Sequence, residues 1–92
     1  MDKAVLYRIY VADNTGEDWV DPEPIVQRYF QGATFLYCYG LYKGISESSV
    51  IIEIIAGDED LQNVVHLAGD LKVLGKQESV LITRQAVEKM EV

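Results

Sequence analysis

The chain has 92 residues, 49% hydrophobic and 25% charged, with 15 acidic against 8 basic side chains and a formal net charge of -7. These are globular values, which exclude a disordered segment. The acidic balance argues against nucleic acid or an anionic membrane as partner, since both demand clustered Lys and Arg. One cysteine, Cys38, excludes an internal disulfide framework, and a lone His66 argues against zinc. No apolar run approaches the roughly 20 residues of a membrane-spanning helix, and Met1-Asp-Lys lacks the layout of a signal peptide. The expectation is one cytoplasmic domain over residues 1–92.

Ala4 to Val11 is rich in β-branched and aromatic residues and reads as the first strand. A polar loop follows over 13–18. Asp21 then offers an N-cap, Pro22 a first-turn proline and Gly32 a stop, which predicts a helix of about ten residues with Ile25, Val26, Tyr29 and Phe30 on one side. Phe35 to Glu53 predicts two apolar strands joined by a turn at Lys43-Gly44-Ile45-Ser46. Asp58-Glu59-Asp60 opens a second helix at the positive end of its dipole. Leu61, Val64, Val65, Ala68 and Leu71 recur at helical spacing, and Gly75 ends the run. Glu78 to Arg84 predicts the last strand, and Gln85 to Val92 fits no single element. The order β-α-β-β-α-β is that of the ferredoxin-like α+β sandwich, a four-stranded antiparallel sheet with both helices on one face.

The expected turn sets Tyr42 directly across from Glu47, which fixes every other pair of the hairpin. One face then holds Phe35, Tyr37, Tyr39, Leu41, Ser48, Val50, Ile52 and Ile54, and belongs under the helices. The other holds Leu36, Cys38, Gly40, Tyr42, Glu47, Ser49, Ile51 and Glu53, joined by Leu6, Arg8 and Tyr10 from the first strand and Ser79, Leu81 and Thr83 from the last. That second face is mixed, and left open it would approach the largest apolar patches usual on monomers, roughly 300–600 Å². The expectation is that other subunits partly cover it; a half-wet sheet with scattered apolar residues is the plainer alternative.

Gly40 and Ser49 are small and expected opposite one another, one step inside Tyr42 and Glu47. They would leave a hollow floored by backbone with a phenol and an acid at its rim. Glu47 and Tyr42 are therefore the candidates for chemistry, against readings as a solvated strand end and a packing aromatic. Glu53 lies deep in its strand, where its expected role is an ion pair with Arg8. Lys43 reads as a turn residue facing water, Cys38 as a small buried hydrophobe, and His66 as a surface residue. No Ser-His-Asp set, phosphate loop or metal motif is present.

Four segments carry a resemblance: Gly40-Leu-Tyr-Lys-Gly-Ile-Ser-Glu47, the strand Ser49 to Ile55, Leu61-Gln-Asn-Val-Val-His-Leu-Ala68, and Gln77-Glu-Ser-Val-Leu-Ile82. Over Gly32 to Arg84 the chain resembles the small phage-type enzymes that degrade S-adenosylmethionine, first called hydrolases and now described as lyases. The resemblance implies a ferredoxin-like subunit akin to the PII signalling proteins, assembled as a homotrimer with substrate held between subunits. The family's tyrosine matches Tyr42. Its glutamate matches Glu47 when the strands are aligned, although counting without a gap suggests Glu53. Gly40, Ser49, Glu53 and Gln77 complete the expected substrate-binding set.

The implied reaction turns S-adenosylmethionine, or a nucleotide conjugate of it such as SAM-AMP, into 5′-methylthioadenosine and homoserine lactone, with no cofactor or metal. Two further readings stand beside it. One is a non-catalytic PII-like module that binds an adenine ligand, against which the lack of a long flexible loop weighs. The other is a small phage protein that blocks a host factor through its acidic surface.

Overall fold

The computed structural model describes residues 1–13 and 21–92. The polar loop read over 13–18 therefore lies, beyond Asp13, outside the described residues. Four strands form one antiparallel sheet: β1 (Asp2–Ala12), β2 (Thr34–Tyr42), β3 (Ile45–Ala56) and β4 (Leu81–Lys89). Their spatial order is β2-β3-β1-β4, with α1 (Glu23–Val26) between β1 and β2 and α2 (Leu61–Leu74) between β3 and β4. This is the ferredoxin-like α+β arrangement expected from the element order.

The core lies between the sheet and the helices. Alternation along β1 and β3 sends Tyr7, Ile9, Val11, Val50, Ile52 and Ile54 to one side, where they meet Val64, Leu67, Ala68 and Leu71 of α2 and Val26 of α1. All of these are buried. Tyr7 is fully enclosed, and its hydroxyl is satisfied by donating to the Gly57 carbonyl at 2.6 Å. Among the described residues, no helix is long and apolar enough to cross a membrane.

The elements depart from the sequence expectation in five places. The first helix is a four-residue α1, continued by hydrogen-bonded turns to Phe30 that include a tighter Arg28 to Ile25 bond. Of this segment's apolar residues, Val26 is buried, while Ile25, Tyr29 and Phe30 pack at the core margin. So short a buried stripe cannot sustain a longer regular helix. In α2 the buried set includes Leu67, whereas Leu61 and Val65 are exposed. The Asp58–Asp60 stretch is a 3₁₀ turn in which Asp60 accepts from the Gly57 N–H at 2.9 Å. β4 starts at Leu81 rather than Glu78 and runs on to Lys89, because β1 extends back to Asp2 and offers it a partner.

The fifth departure is the hairpin. Lys43 (φ 52°) and Gly44 (φ 79°) both lie in the left-handed region, making a two-residue turn. Such turns match the right-handed twist of the strands they join. Tyr42 therefore pairs with Ile45, not Glu47, and Glu47 pairs with Gly40. The shift is two residues, so every side chain keeps its expected face. The hairpin also runs past the cover of the helices: Tyr37, Tyr39 and Leu41, expected beneath them, are exposed, and only Phe35 of that β2 set reaches the core margin.

Candidate functional site

The face turned away from the helices is crossed by rows of paired residues. Leu36, Ile51, Tyr10 and Leu81 form one row, and Thr34, Glu53, Arg8 and Thr83 the next toward the far end. Toward the hairpin tip come Cys38, Ser49 and Ala12, then Gly40 with Glu47, then Tyr42 with Ile45. Leu36, Cys38, Tyr42, Ile45 and Leu81 are all exposed on this face, which is as mixed and as open as the sequence implied. Cys38, expected as a buried hydrophobe, is exposed, since among the described residues no element covers this side of β2. Ser79 precedes β4 and takes no part in the pairing; Gln85 stands in the sheet instead.

Four of the six candidates share one face of the hairpin. Glu47 is half-buried directly across from Gly40, and Tyr42 stands one pair nearer the turn on the same face. Tyr42 and Glu47 are thus diagonal neighbours, at about 7–8 Å rather than the 4.5–5.5 Å of a direct pair. Ser49 lies one pair inside Glu47 and donates its hydroxyl to the Glu47 carbonyl at 3.3 Å. A Cβ at Gly40 would meet the Ser49 Oγ at 3.3 Å, so glycine keeps the floor between them low. The Glu47 carboxylate makes no hydrogen bond or ion pair among the described residues.

Gln77 reaches the same place from the opposite side. The α2 C-terminus ends at Gly75, where a Cβ would lie 2.7 Å from the Ala12 carbonyl. That close approach lets Gln77 Oε1 accept the Ala12 N–H at 2.9 Å. Gly40, Ser49 and Gln77, with Tyr10, Ala12, Cys38, Tyr39 and Ile51, line a cleft of about 220 Å³, and Tyr42 and Glu47 stand outside that lining, toward the hairpin tip. Ala12 joins the wall because β1 runs one residue beyond Val11, where the sequence ends the strand. Tyr10 stands on this face as its parity predicts.

Glu53 does not join them. It sits six residues along β3 from Glu47, roughly 20 Å at about 3.4 Å per residue. Its Oε2 accepts from Arg8 Nε at 2.7 Å, the expected ion pair, and Arg8 Nη1 donates to Gln85 Oε1 at 2.9 Å. Within one chain, then, Glu47 and not Glu53 shares the surface around Tyr42.

The hairpin from Thr34 to Ala56 carries one cation, Lys43, and it does not simply face water. Its Nζ lies 5.4 Å from the centroid of the Tyr42 ring, within cation–π range. The tip thus presents an aromatic face already suited to a positive group, beside a carboxylate with no internal partner. Chemically, this arrangement can hold a small cationic ligand by charge and ring contact. Among the described residues there is no cluster of His, Cys, Asp or Glu able to hold a metal ion.

No protein-family model and no curated protein matches the chain. Among solved structures, a phage SAM lyase in its apo state is similar over 91% of this chain and 81% of its own, at 29% identity and a TM-score of 0.69. A de novo designed protein, Foldit4, aligns at 18% identity with a TM-score of 0.46. On the first of these likenesses, the chain has the fold of a phage SAM lyase.

Proposed function

We propose that the chain is a lyase that degrades S-adenosylmethionine, or a nucleotide conjugate of it, to 5′-methylthioadenosine and homoserine lactone. The observation that carries the reading is the likeness to a phage SAM lyase across nine-tenths of the chain, with Tyr42, Gly40 and Glu47 gathered on one open face of that fold. A carboxylate oxygen of the substrate attacks its own Cγ, a C–O bond forms, and the C–S bond breaks with its electron pair passing to sulfur. A sulfonium becomes a neutral thioether and the methionyl arm closes to a lactone, with no net proton transfer. The protein's task is to hold that arm folded, and orientation alone can lower such a barrier by several kcal/mol.

Within this reading Glu47 attracts the cationic substrate and orients its methionyl end. Tyr42 packs against the sulfonium, whose place Lys43 Nζ marks at 5.4 Å. Such a contact contributes about 0.5–2 kcal/mol, more as water is excluded. Gly40 and Ser49 keep room beneath the arm, and Gln77 bounds the cleft on the far side. The open face then closes in a homotrimer with the sites between subunits, so that the cleft is completed by a neighbouring copy.

The test is incubation of the purified protein with S-adenosylmethionine and mass-spectrometric detection of methylthioadenosine and homoserine lactone. Release of both, strongly reduced in Glu47→Gln, is the expected result. Binding without turnover would mark an adenine-ligand-binding module instead, and absence of both would remove the proposal. Sedimentation at micromolar concentration checks the trimer separately.

A further inference from the structure

We propose that Lys43 is a tethered competitor at the hairpin tip: its ammonium holds the Tyr42 ring until the cation of a ligand displaces it, and so sets the affinity threshold of the site. The inference rests on the lyase reading, in which a sulfonium lies against that ring. Lys43 Nζ is 5.4 Å from the Tyr42 ring centroid, and Tyr42 is 65% exposed. Among the described residues Lys43 makes no hydrogen bond or ion pair, so the ring is what holds its ammonium. Glu47 stands one pair away and is also unpaired, so the cation of the tip lies on the ring and not on the acid. Lys43 occupies the left-handed first position of the turn (φ 52°), next in the chain to the ring it covers. A group tethered this closely acts at the high effective concentration of an intramolecular partner.

The consequence is a discrimination by number of charges. An exposed ammonium–ring contact favours the covered arrangement about two- to fivefold. The ring is then open about one-sixth to one-third of the time, and any ligand that needs it binds about three- to sixfold more weakly than to a bare ring. A monocation has only the ring to gain and meets this penalty in full. A methionyl arm brings a sulfonium for the ring and an ammonium for the unpaired Glu47, so its second contact offsets the displacement of Lys43. Repulsion between Lys43 and an incoming cation would weaken binding too, but that effect does not need the ring, and this difference separates the two causes.

The probe is sinefungin, which carries an ammonium where S-adenosylmethionine carries its sulfonium and is not cleaved by lactone closure; its affinity is measured by calorimetry. Lys43→Met keeps the stem and removes the charge, and should bind sinefungin about three- to sixfold more tightly than the wild type. In a Tyr42→Leu background the same substitution should give no gain, which makes the two residues energetically coupled. Lys43→Arg, which keeps a cation over the ring, and Lys3→Met, which removes an equal charge elsewhere, should give none either. In the free protein the Lys43 ε-methylene protons should resonate upfield under the ring current, and sinefungin should return them to their ordinary position. Thermal unfolding confirms that each variant is folded. Equal affinity in the wild type and Lys43→Met, a gain that persists in Tyr42→Leu, or ε-protons that do not move would each overturn the proposal. If S-adenosylmethionine is still converted to methylthioadenosine in that case, the lyase reading stands and this inference alone falls. Failure of sinefungin to bind any of the proteins, with no turnover, would remove both.

Discussion

Replacing Gly40 by alanine and by valine separates what the sheet needs from what the cleft needs. Glycine inside a strand costs roughly 0.5–1 kcal/mol relative to alanine through backbone entropy. Against that gain, the new Cβ meets the Ser49 Oγ at 3.3 Å, a contact that a small movement of one hydroxyl relieves. The displaced hydroxyl gives up only its 3.3 Å bond to the Glu47 carbonyl. Gly40→Ala should therefore leave stability within about 0.5 kcal/mol, or about 2–4 °C in Tm for a domain of this size. Valine suits a strand equally well, yet its branched carbons fill the floor between Ser49 and Glu47. A misplacement of roughly 1 Å can cost on the order of a hundredfold in rate. We accordingly expect Gly40→Val to lower kcat/KM for methylthioadenosine release at least about tenfold, or about 1.4 kcal/mol of transition-state stabilisation. Thermal unfolding and product release are measured on the same preparations. Wild-type turnover by Gly40→Val would show that no ligand rests on this floor. A loss of more than about 2 kcal/mol in Gly40→Ala would show that the strand is packed more tightly here than the Cβ geometry says.

The two glutamates of β3 should behave oppositely. Glu47→Gln should reduce turnover at least about tenfold while moving stability by less than about 0.5 kcal/mol, since its carboxylate has no internal partner among the described residues. Glu53→Gln leaves Arg8, about one-third exposed, without its counter-ion, and should cost about 1–2 kcal/mol in urea denaturation, between the surface and buried extremes. Gly75→Ala drives a Cβ against the Ala12 carbonyl, so it should displace Gln77 from the Ala12 N–H and destabilise by about 1–3 kcal/mol. Loss of Ala12 amide-exchange protection would report that displacement; unchanged protection would refute it. Tyr29 is held above its ordinary pKa first by its 2.6 Å hydrogen bond to Asp70, then by desolvation and the charge of Asp70, with Arg28 opposing. Because the unfolded phenol loses its proton first, near pH 10, the stabilisation is complete below that pH and declines as pH rises through the folded value. Tyr29→Phe should flatten this alkaline decline, and an unaltered slope would assign it to other groups.

The alternation of residues along each strand and the order of elements were enough to give the ferredoxin-like sheet, its buried β1 and β3 surface and the ion pair between Arg8 and Glu53. They also put Tyr42, Gly40, Glu47 and Ser49 on one face, because side-chain parity in a strand survives any slip of two residues. Which residues stand opposite one another was not legible. That depended on Lys43 adopting a left-handed conformation usually given to Asn, Asp or Gly, a choice the twist of the paired strands imposes on the turn. Cover was equally beyond the sequence. Tyr37 and Val50 are paired residues on the same side of the sheet, yet one is exposed and the other buried. The difference is where α2 lies over the sheet, and no local pattern in β2 encodes it.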